Sequence, residues 1–375
     1  QENDGEVRVR RLRGTAQRLP ALFSESERRH APPFPDPELV RGLKRLVDEV
    51  KPDVVHVHNW MVHSYLPLKK WSGVPLVMTL HDYSLVCAKK SAMRDGVPCD
   101  GPAVIKCLKC ARDHYGTAVG AVTTLAVWIE QKIQRRAIDA FLAVSGAVAD
   151  FNRLESGPAP YAVIPNFIPD EITKLDPLPD PRLDRLPSGD FILFVGDLNR
   201  HKGVHTLIEA HASLDAPPPL VLIGRAGPDT PTQLPPGVHL FERWPHAAIM
   251  QAWNRCLFGV APSVWPEPCA TVVMEGMSQG KTMIVTDTGG MRDIVAHGES
   301  GLVVPPGDAQ TLAAAMRILL DNPSIRRRLA ANAARDVEKL VASSVVSRIE
   351  QVYSDVIGRR AIAEVAVRRD LMNEH

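Results

Sequence analysis

The chain has 375 residues, 45% of them apolar and 23% charged, with 44 basic side chains against 43 acidic ones. That is the composition of a globular protein, and the length suffices for two domains of ordinary size. A net charge of +1 excludes a nucleic-acid binder that works through a basic patch, and the longest uncharged apolar run, 117–129, is too short to span a bilayer.

In chain order, residues 7–12 read as an opening strand, 36–50 as a helix by periodicity, and 53–58 and 75–80 as strands, the second running into His81 and Asp82. His56 and His58 alternate with valines and so share one face of their strand, with His58 nearer its end. A loop after His81 holds Cys87, Cys99, Cys107 and Cys110, the last two as Cys-x-x-Cys, with turn residues between them. Close four-thiolate spacing suits a structural tetrahedral zinc, since four cysteines leave no open metal position. Disulfides, an iron–sulfur cluster and free thiols are the alternatives, and no secretory signal argues for disulfides. The same lack of a signal points to the cytoplasm. The run 117–129 reads first as a buried helix and second as a membrane-surface helix, which would make a peripheral contact with the inner membrane face.

Strands at 140–144 and 161–164 lead into a Pro- and Asp-rich linker, 166–186. The second half repeats the rhythm with strands at 191–195, 219–223, 238–241, 257–260, 282–285 and 302–304, and then consecutive helices from 308 to about 370, with Asp308 as an N-cap. Near-continuous Val/Ile/Leu strands alternating with helices imply parallel sheets covered on both faces. The expected fold is α/β with two doubly wound Rossmann-like domains, 1–169 and 170–350, a cleft between them as the binding site, and a last helix, 351–375, packing back on the first domain.

The chemistry concentrates in the second half. Glu267 sits in a Pro-bounded loop after the strand 257–260, and Glu275 lies eight positions on, inside an apolar run. Acids in such surroundings need polar partners, and a pair of carboxylates in a cleft suits a polyhydroxylated ligand, a sugar or a ribose. Gly196 allows a tight turn after a strand, and Arg200 and Lys202 follow at the start of a helix, where cations and free N–H groups suit a diphosphate. A solvated basic loop is the plainer reading of that segment alone. Gly224 and Gly289-Gly290 form two more glycine turns after strands.

Taken together, these segments resemble the retaining glycosyltransferases of family 4, which have the GT-B fold. The resemblance rests on Pro262-Ser263-Val264-Trp265-Pro266-Glu267-Pro268 followed by Glu275, on Phe194-Val195-Gly196-Asp197-Leu198 with Lys202-Gly203, and on Gly289-Gly290 with Asp293-Ile294-Val295. In the first half it rests on Pro52-Asp53-Val54-Val55-His56-Val57-His58, Thr79-Leu80-His81-Asp82 and Val163-Ile164-Pro165-Asn166. The resemblance implies transfer of a sugar from a nucleotide-diphosphate donor to an acceptor hydroxyl with retained configuration, with no cofactor required for the chemistry. It assigns Glu267 to the donor sugar, Glu275 to the ribose, Lys202 to the diphosphate, the backbone of Ala270, Thr271 and Val272 to the sugar and phosphate, and His81 to the donor sugar and acceptor. Arg243 and Trp244 are candidates for the base pocket. The acceptor is a saccharide, a lipid-linked saccharide or a small molecule.

Two departures stand out. Asp197 occupies the place where many members carry an arginine, so an acid faces the expected phosphates. The opening strand, glycine-rich loop and helix of the first domain are not found before residue 7: either the chain is a fragment or the domain is incomplete, and if the fragment is all there is, the expectation is weak or absent transfer with nucleotide binding retained in the second domain. A non-catalytic nucleotide-sugar-binding protein and a nucleotide-sugar epimerase of GT-B fold are therefore the alternatives.

Overall fold

The computed structural model describes residues 2–15, 32–173 and 180–373, with side chains through 361; part of the expected linker, 174–179, lies outside them. Strands β1 (Glu2–Asp4) and β2 (Val7–Val9) pair antiparallel as a hairpin. The strand expected from residue 7 therefore forms, but not in the parallel sheet. Its Val-Arg-Val-Arg pattern explains why. A central parallel strand must be apolar on both faces, whereas here Arg10 pairs with Glu49 on α1 (Pro37–Val50) and Val7 is 65% exposed. Helix α1 starts where Asp36 Oδ1 accepts the N–H groups of Glu38 and Leu39, with Pro37 in its first turn.

The first parallel sheet consists of β3 (Val55–His58), then, after α2 (Leu66–Ser72), β4 (Leu76–Leu80). A short hairpin, β5 (Met93–Arg94) and β6 (Val97–Pro98), and two helices, α3 (Val104–Tyr115) and α4 (Thr117–Ala137), intervene before β7 (Ala140–Ala143), α5 (Gly146–Phe151) and β8 (Tyr161–Val163). The order is β3-β4-β7-β8, all parallel.

Helix α4 corrects the sequence reading of 117–129. Its large apolar side chains face solvent, with Val119, Val122, Leu125 and Ile129 each at least 50% exposed. The inward face carries small residues instead. A Cβ on Gly120 would stand 2.5 Å from the Ala111 carbonyl, so α3 and α4 approach too closely for anything larger. Among the described residues no helix is long and apolar enough to cross a membrane.

The second sheet is built from β9 (Ile192–Val195), α6 (Val204–Ala212), β10 (Leu220–Gly224), β11 (Val238–Glu242), α7 (His246–Arg255), β12 (Phe258–Ala261), α8 (Thr271–Ser278), β13 (Met283–Thr286) and β14 (Gly301–Val304). All six strands are parallel in the order β11-β10-β9-β12-β13-β14. Chain order reverses between β9 and β12, and ligands of such sheets bind outside the strand ends at that point. Alternation along β9 sends Leu193 to one core and Ile192 and Phe194 to another. The first of these cores continues from the second domain into the first without a break.

Helices α9 (Ala309–Asp321), α10 (Pro323–Val337) and α11 (Ala342–Asn373) close the chain. Asp308 caps α9 through the N–H of Thr311. Helix α11 returns to the first domain: Val345, Ile349, Val352 and Val356 pack with Val77, Ala140 and Leu142 of the first sheet. The helix begins earlier than the sequence suggested. The backbone crosses between domains near Ile168 and again near Val341, and these crossings are bonded to each other: Ile168 N–H donates to Leu340 O at 3.1 Å, and Ala342 N–H to Ile168 O at 2.9 Å.

Candidate active site

Glu267 lies in the loop between β12 and α8, at the reversal point of the second sheet. It is only 6% exposed. The Lys202 ammonium bonds directly to its Oε1, and Ser263 Oγ donates to the same oxygen at 2.8 Å. Lys202 comes from the loop after β9, the other strand at the reversal, and its Nζ also stands 5.0 Å from the Trp265 ring centroid. The costly buried acid thus has a cation and a hydroxyl as partners.

The backbone around Glu267 is as tightly held. Gly290 N–H donates to Glu267 O at 2.7 Å. A Cβ on Gly289, whose φ is +57°, would meet that oxygen at 2.1 Å, so only glycine allows this approach. Gly196 and Gly224 end neighbouring strands back to back; a Cβ on Gly224 would fall 1.6 Å from Gly196 O. Downstream, Ala270 precedes α8 without a side-chain cap, and Thr271 and Val272 form its first turn. The uncapped positive end of the helix therefore points to the loop of Glu267. Glu275, farther along α8, accepts from or pairs with His246 Nε2 at 3.0 Å. Trp244 is buried against Phe241, and Arg243 follows β11 in the left-handed region at φ +55°.

Arg200 is exposed, and its backbone N–H donates to Asp229 Oδ2 at 2.8 Å. Asp197, the acid out of place in the resemblance, is paired: Arg225 Nε and Nη2 reach its two oxygens at 3.2 and 3.1 Å. Its charge is answered from the second glycine loop.

On the facing side, His81 follows β4. Its backbone N–H donates to Asn59 Oδ1, and its ring nitrogens lie 3.2 Å from Asn166 Oδ1 (Nδ1) and 2.8 Å from His58 Nδ1 (Nε2). These contacts fix the tautomers. Asn166 donates its Nδ2–H to Cys269 O at 3.3 Å, so its Oδ1 faces the histidine and His81 Nδ1 carries the proton. His81 Nε2 then accepts from His58 Nδ1–H, and the lone pair left over belongs to His58 Nε2, on an exposed side chain at the strand end. His56 is bonded on both sides, to Thr79 Oγ1 and Tyr353 Oη, each at 2.6 Å. Burial holds all three imidazoles below their ordinary pKa, His56 down to about 4, with neighbouring imidazoles adding to the effect on His56 and His58. The ring set is therefore neutral at pH 7.

Contacts across the cleft join these two groups. Asn166 links His81 to Cys269, two residues from Glu267; Gly146 N–H donates to Asp293 Oδ2 at 2.7 Å; Tyr83 Oη donates to Pro266 O at 2.9 Å; and Trp265 Nε1 donates to Ser91 O at 2.6 Å. Asn59, Asn166, Ser263 and Arg225 had no role assigned from sequence. Asn166 and Ser263 stood inside quoted motifs, but Arg225 and Asn59 carried no signal of their pairing. Cys87, Cys99, Cys107 and Cys110 all line one cavity and are free thiols, and among the described residues no three His, Cys, Asp or Glu side chains are grouped to hold a metal.

Comparisons with known proteins agree with this architecture. Residues 183–336 match the family model described as glycosyl transferases group 1, and residues 3–172 match that of glycosyltransferase family 4. The chain is similar to glycogen synthase of Mycobacterium tuberculosis, 27% identical over 319 residues, which cover 81% of this chain and 69% of that protein. It is also 26% identical to D-inositol 3-phosphate glycosyltransferase 1 of Catenulispora acidiphila, covering 92% of this chain and 85% of the relative. Among solved structures, sucrose-phosphate synthase from Thermosynechococcus elongatus superposes with a TM-score of 0.64 at 22% identity, over 86% of this chain and 78% of that one. Anabaena HepE, solved in complex with UDP, gives 0.62 at 20% identity, over 84% and 82%. The fold and site define a GT-B protein with two Rossmann-like domains. Within that class, its second domain matches the glycosyl transferases group 1 model and its first domain the glycosyltransferase family 4 model.

Proposed function

We propose that this protein transfers a sugar from a nucleotide-diphosphate donor to an acceptor hydroxyl with retention of configuration. The observation that carries this reading is Glu267, buried at the sheet's reversal point between Lys202 and Ser263, just ahead of the α8 N-terminus. When donor binds, Lys202 turns its charge to the diphosphate, and Glu267 accepts hydrogen bonds from sugar hydroxyls. Glu275 takes the ribose hydroxyls. As the glycosidic bond breaks, charge develops on the leaving diphosphate, where Lys202 and the first N–H groups of α8, at Thr271 and Val272, stabilise it. The acceptor hydroxyl enters on the same face, beside His81. The neutral His81–His58 pair, kept in one tautomer by Asn166, leaves His58 Nε2 as a fixed hydrogen-bond acceptor there. Anabaena HepE, a structural neighbour, is known in complex with UDP and with UDP-glucose, so uridine donors head the panel to be screened. The similar proteins differ in acceptor by name, and we place the acceptor only in the class of hydroxyl-bearing saccharides and their phosphates.

The alternative of a binding protein without turnover drew on the missing opening unit of the first domain and on Asp197. The pairing of Asp197 with Arg225 weakens the second argument, because the acid no longer presents a bare charge to a phosphate. The test is nucleoside-diphosphate release from a UDP-, GDP-, ADP- and TDP-sugar panel, with product anomers read by NMR. Glu267→Gln is expected to lower kcat/KM by about 10²–10³-fold while nucleoside diphosphate still binds. Nucleotide binding without turnover on any donor and acceptor would establish the binding protein instead, and an inverted anomer would overturn retention.

A further inference from the structure

The segment from His81 to Ala103 is long for a connection with so little structure of its own: two strands of two residues each. Loops of that length in compact domains are uncommon unless something holds them. Tyr83, Leu85, Val86 and Ala92 anchor it in the main core, and Ala88 joins a smaller cluster with Trp60, Ala111 and Val127. The segment also makes two of the contacts that reach the Glu267 loop, through Tyr83 and Ser91. Four of the chain's six cysteines line one cavity at its centre.

Backbone N–H groups stand against two of these sulfurs. The N–H groups of Lys89, Lys90 and Ala92 face the Cys87 sulfur, and Ala103 N–H donates to Cys107 Sγ at 3.3 Å. Lys90 and Ala92 stand in the left-handed region, at φ +62° and +51°, a strained conformation for non-glycine residues. Cys107 and Cys110 lie one turn apart on the same face of α3, in its first two turns, where the helix end favours negative sulfur. The Met93–Arg94 and Val97–Pro98 hairpin delivers Cys99 from the opposite side, its N–H bonded to Ala92 O at 2.7 Å. Lys89, Arg94 and Lys106 line the same cavity, Arg94 paired with Asp95 and Lys106 with Asp100.

We propose that Cys87, Cys99, Cys107 and Cys110 bind one thiophilic divalent cation of the zinc class, and that this ion braces the segment from His81 to Ala103 against the loop carrying Glu267. Each thiol releases its proton to solvent as a metal–sulfur bond forms, with no change of oxidation state. The four side chains rotate inward to reach the ion, since no three of them stand grouped for it here. With four protein ligands the ion has no open position, so its part is structural. Through Ser91, which lies between the two strained residues, the brace sets the carbonyl that Trp265 grips.

The test uses the full chain purified without metal-affinity resin or chelator. Elemental analysis is expected to find about one zinc-class ion per chain. Protein stripped by a thiol-compatible chelator should lose thermal stability. Retitrated with cobalt(II), it should show thiolate charge-transfer and tetrahedral visible bands that saturate at one equivalent. Cys99→Ser and Cys110→Ser should each lower the ion content, and Cys256→Ala, at a buried cysteine elsewhere, should not. If the serine variants fail to fold, the cobalt titration of the wild-type chain still decides. A chain that carries no ion and takes none up overturns the proposal, as do disulfides seen in the unreduced mass or iron with inorganic sulfide. None of these readouts depends on sugar transfer. A metal-bearing chain without turnover would sink the transferase reading alone, and an active chain without metal would sink this one alone.

Discussion

In the second domain, Glu267 is fixed largely by backbone: Gly290 donates to its carbonyl, Gly289 leaves room for that approach, and only then do Lys202 and Ser263 meet its side chain. In the first domain, His81 is fixed largely by side chains, with Asn59, Asn166 and His58 on its three polar atoms. The sheets differ in the same way. Six parallel strands with one reversal position the proposed donor site by topology. Four strands and a long cysteine-bearing segment create the facing wall by a chain of specific contacts. A site built on backbone tolerates few substitutions at its glycines, whereas a site built on side chains responds to single polar groups and to pH.

The largest effect expected from this contrast is at Gly289. Gly289→Ala drives a Cβ into the Glu267 carbonyl and should lower stability by about 1–3 kcal/mol and kcat/KM by about 10²-fold through displacement of Glu267. Urea denaturation and steady-state rates measure the two separately, and near-wild-type values in both would show that the backbone grip is dispensable. Next comes His58→Ala, which leaves His81 Nε2 without its donor. A loss of about 10-fold in kcat/KM, near 1.4 kcal/mol, is expected. The pH profile sharpens the point. His56, His58 and His81 have folded pKa values lowered from 6.5. Their neutral forms therefore contribute stability that is present above pH 6.5 and lost as pH falls toward about 4, the value for His56. Activity and denaturation midpoint should decline together over that window, and the acid limb of the rate should change shape in His58→Ala; an unaltered limb would remove the imidazole pair from the mechanism. The smallest effect is at Asp197→Asn, which releases Arg225 from a partly exposed pair. Nucleoside diphosphate should bind tighter by about 2–5-fold at low salt, under about 1 kcal/mol, as read by calorimetry at two ionic strengths; weaker binding would mean that Asp197 positions Arg225 rather than restrains it.

The same contrast decides what could be read from the sequence. The parallel strands were legible because most are near-continuous apolar runs, with β3 and β11 as the polar exceptions, and the glycines after them mark turns and close approaches. Glu267 and Lys202 were legible as chemistry, although nothing in their spacing shows that they bond to each other before a ligand arrives. The Val7–Val9 strand misled because two valines suit a strand of any kind, while its arginines keep it out of a buried sheet. The run 117–129 misled because apolar content does not say which face is inside. Small residues were chosen for the contact with α3, leaving the bulky ones outward. The polar partners of His81 lie far apart in sequence, at 58, 59 and 166, and no periodicity connects them.

The bonded crossings at Ile168 and Val341 have a mechanical consequence. Two bodies joined by connectors at separate points are locked; joined where the connectors touch, they share a spine like the covers of a book. Any movement of the wall bearing His81 relative to the wall bearing Glu267 would have that spine as its axis and would also have to part the apolar core that runs between the domains. The latches on the open edge are the contacts from Tyr83, Ser91 and Gly146 to the second domain. If the chain binds a donor as proposed, its admission and the departure of spent nucleotide would require those latches to part while the spine stays intact, which would put the gate at the edge of the cleft and not at its fold line.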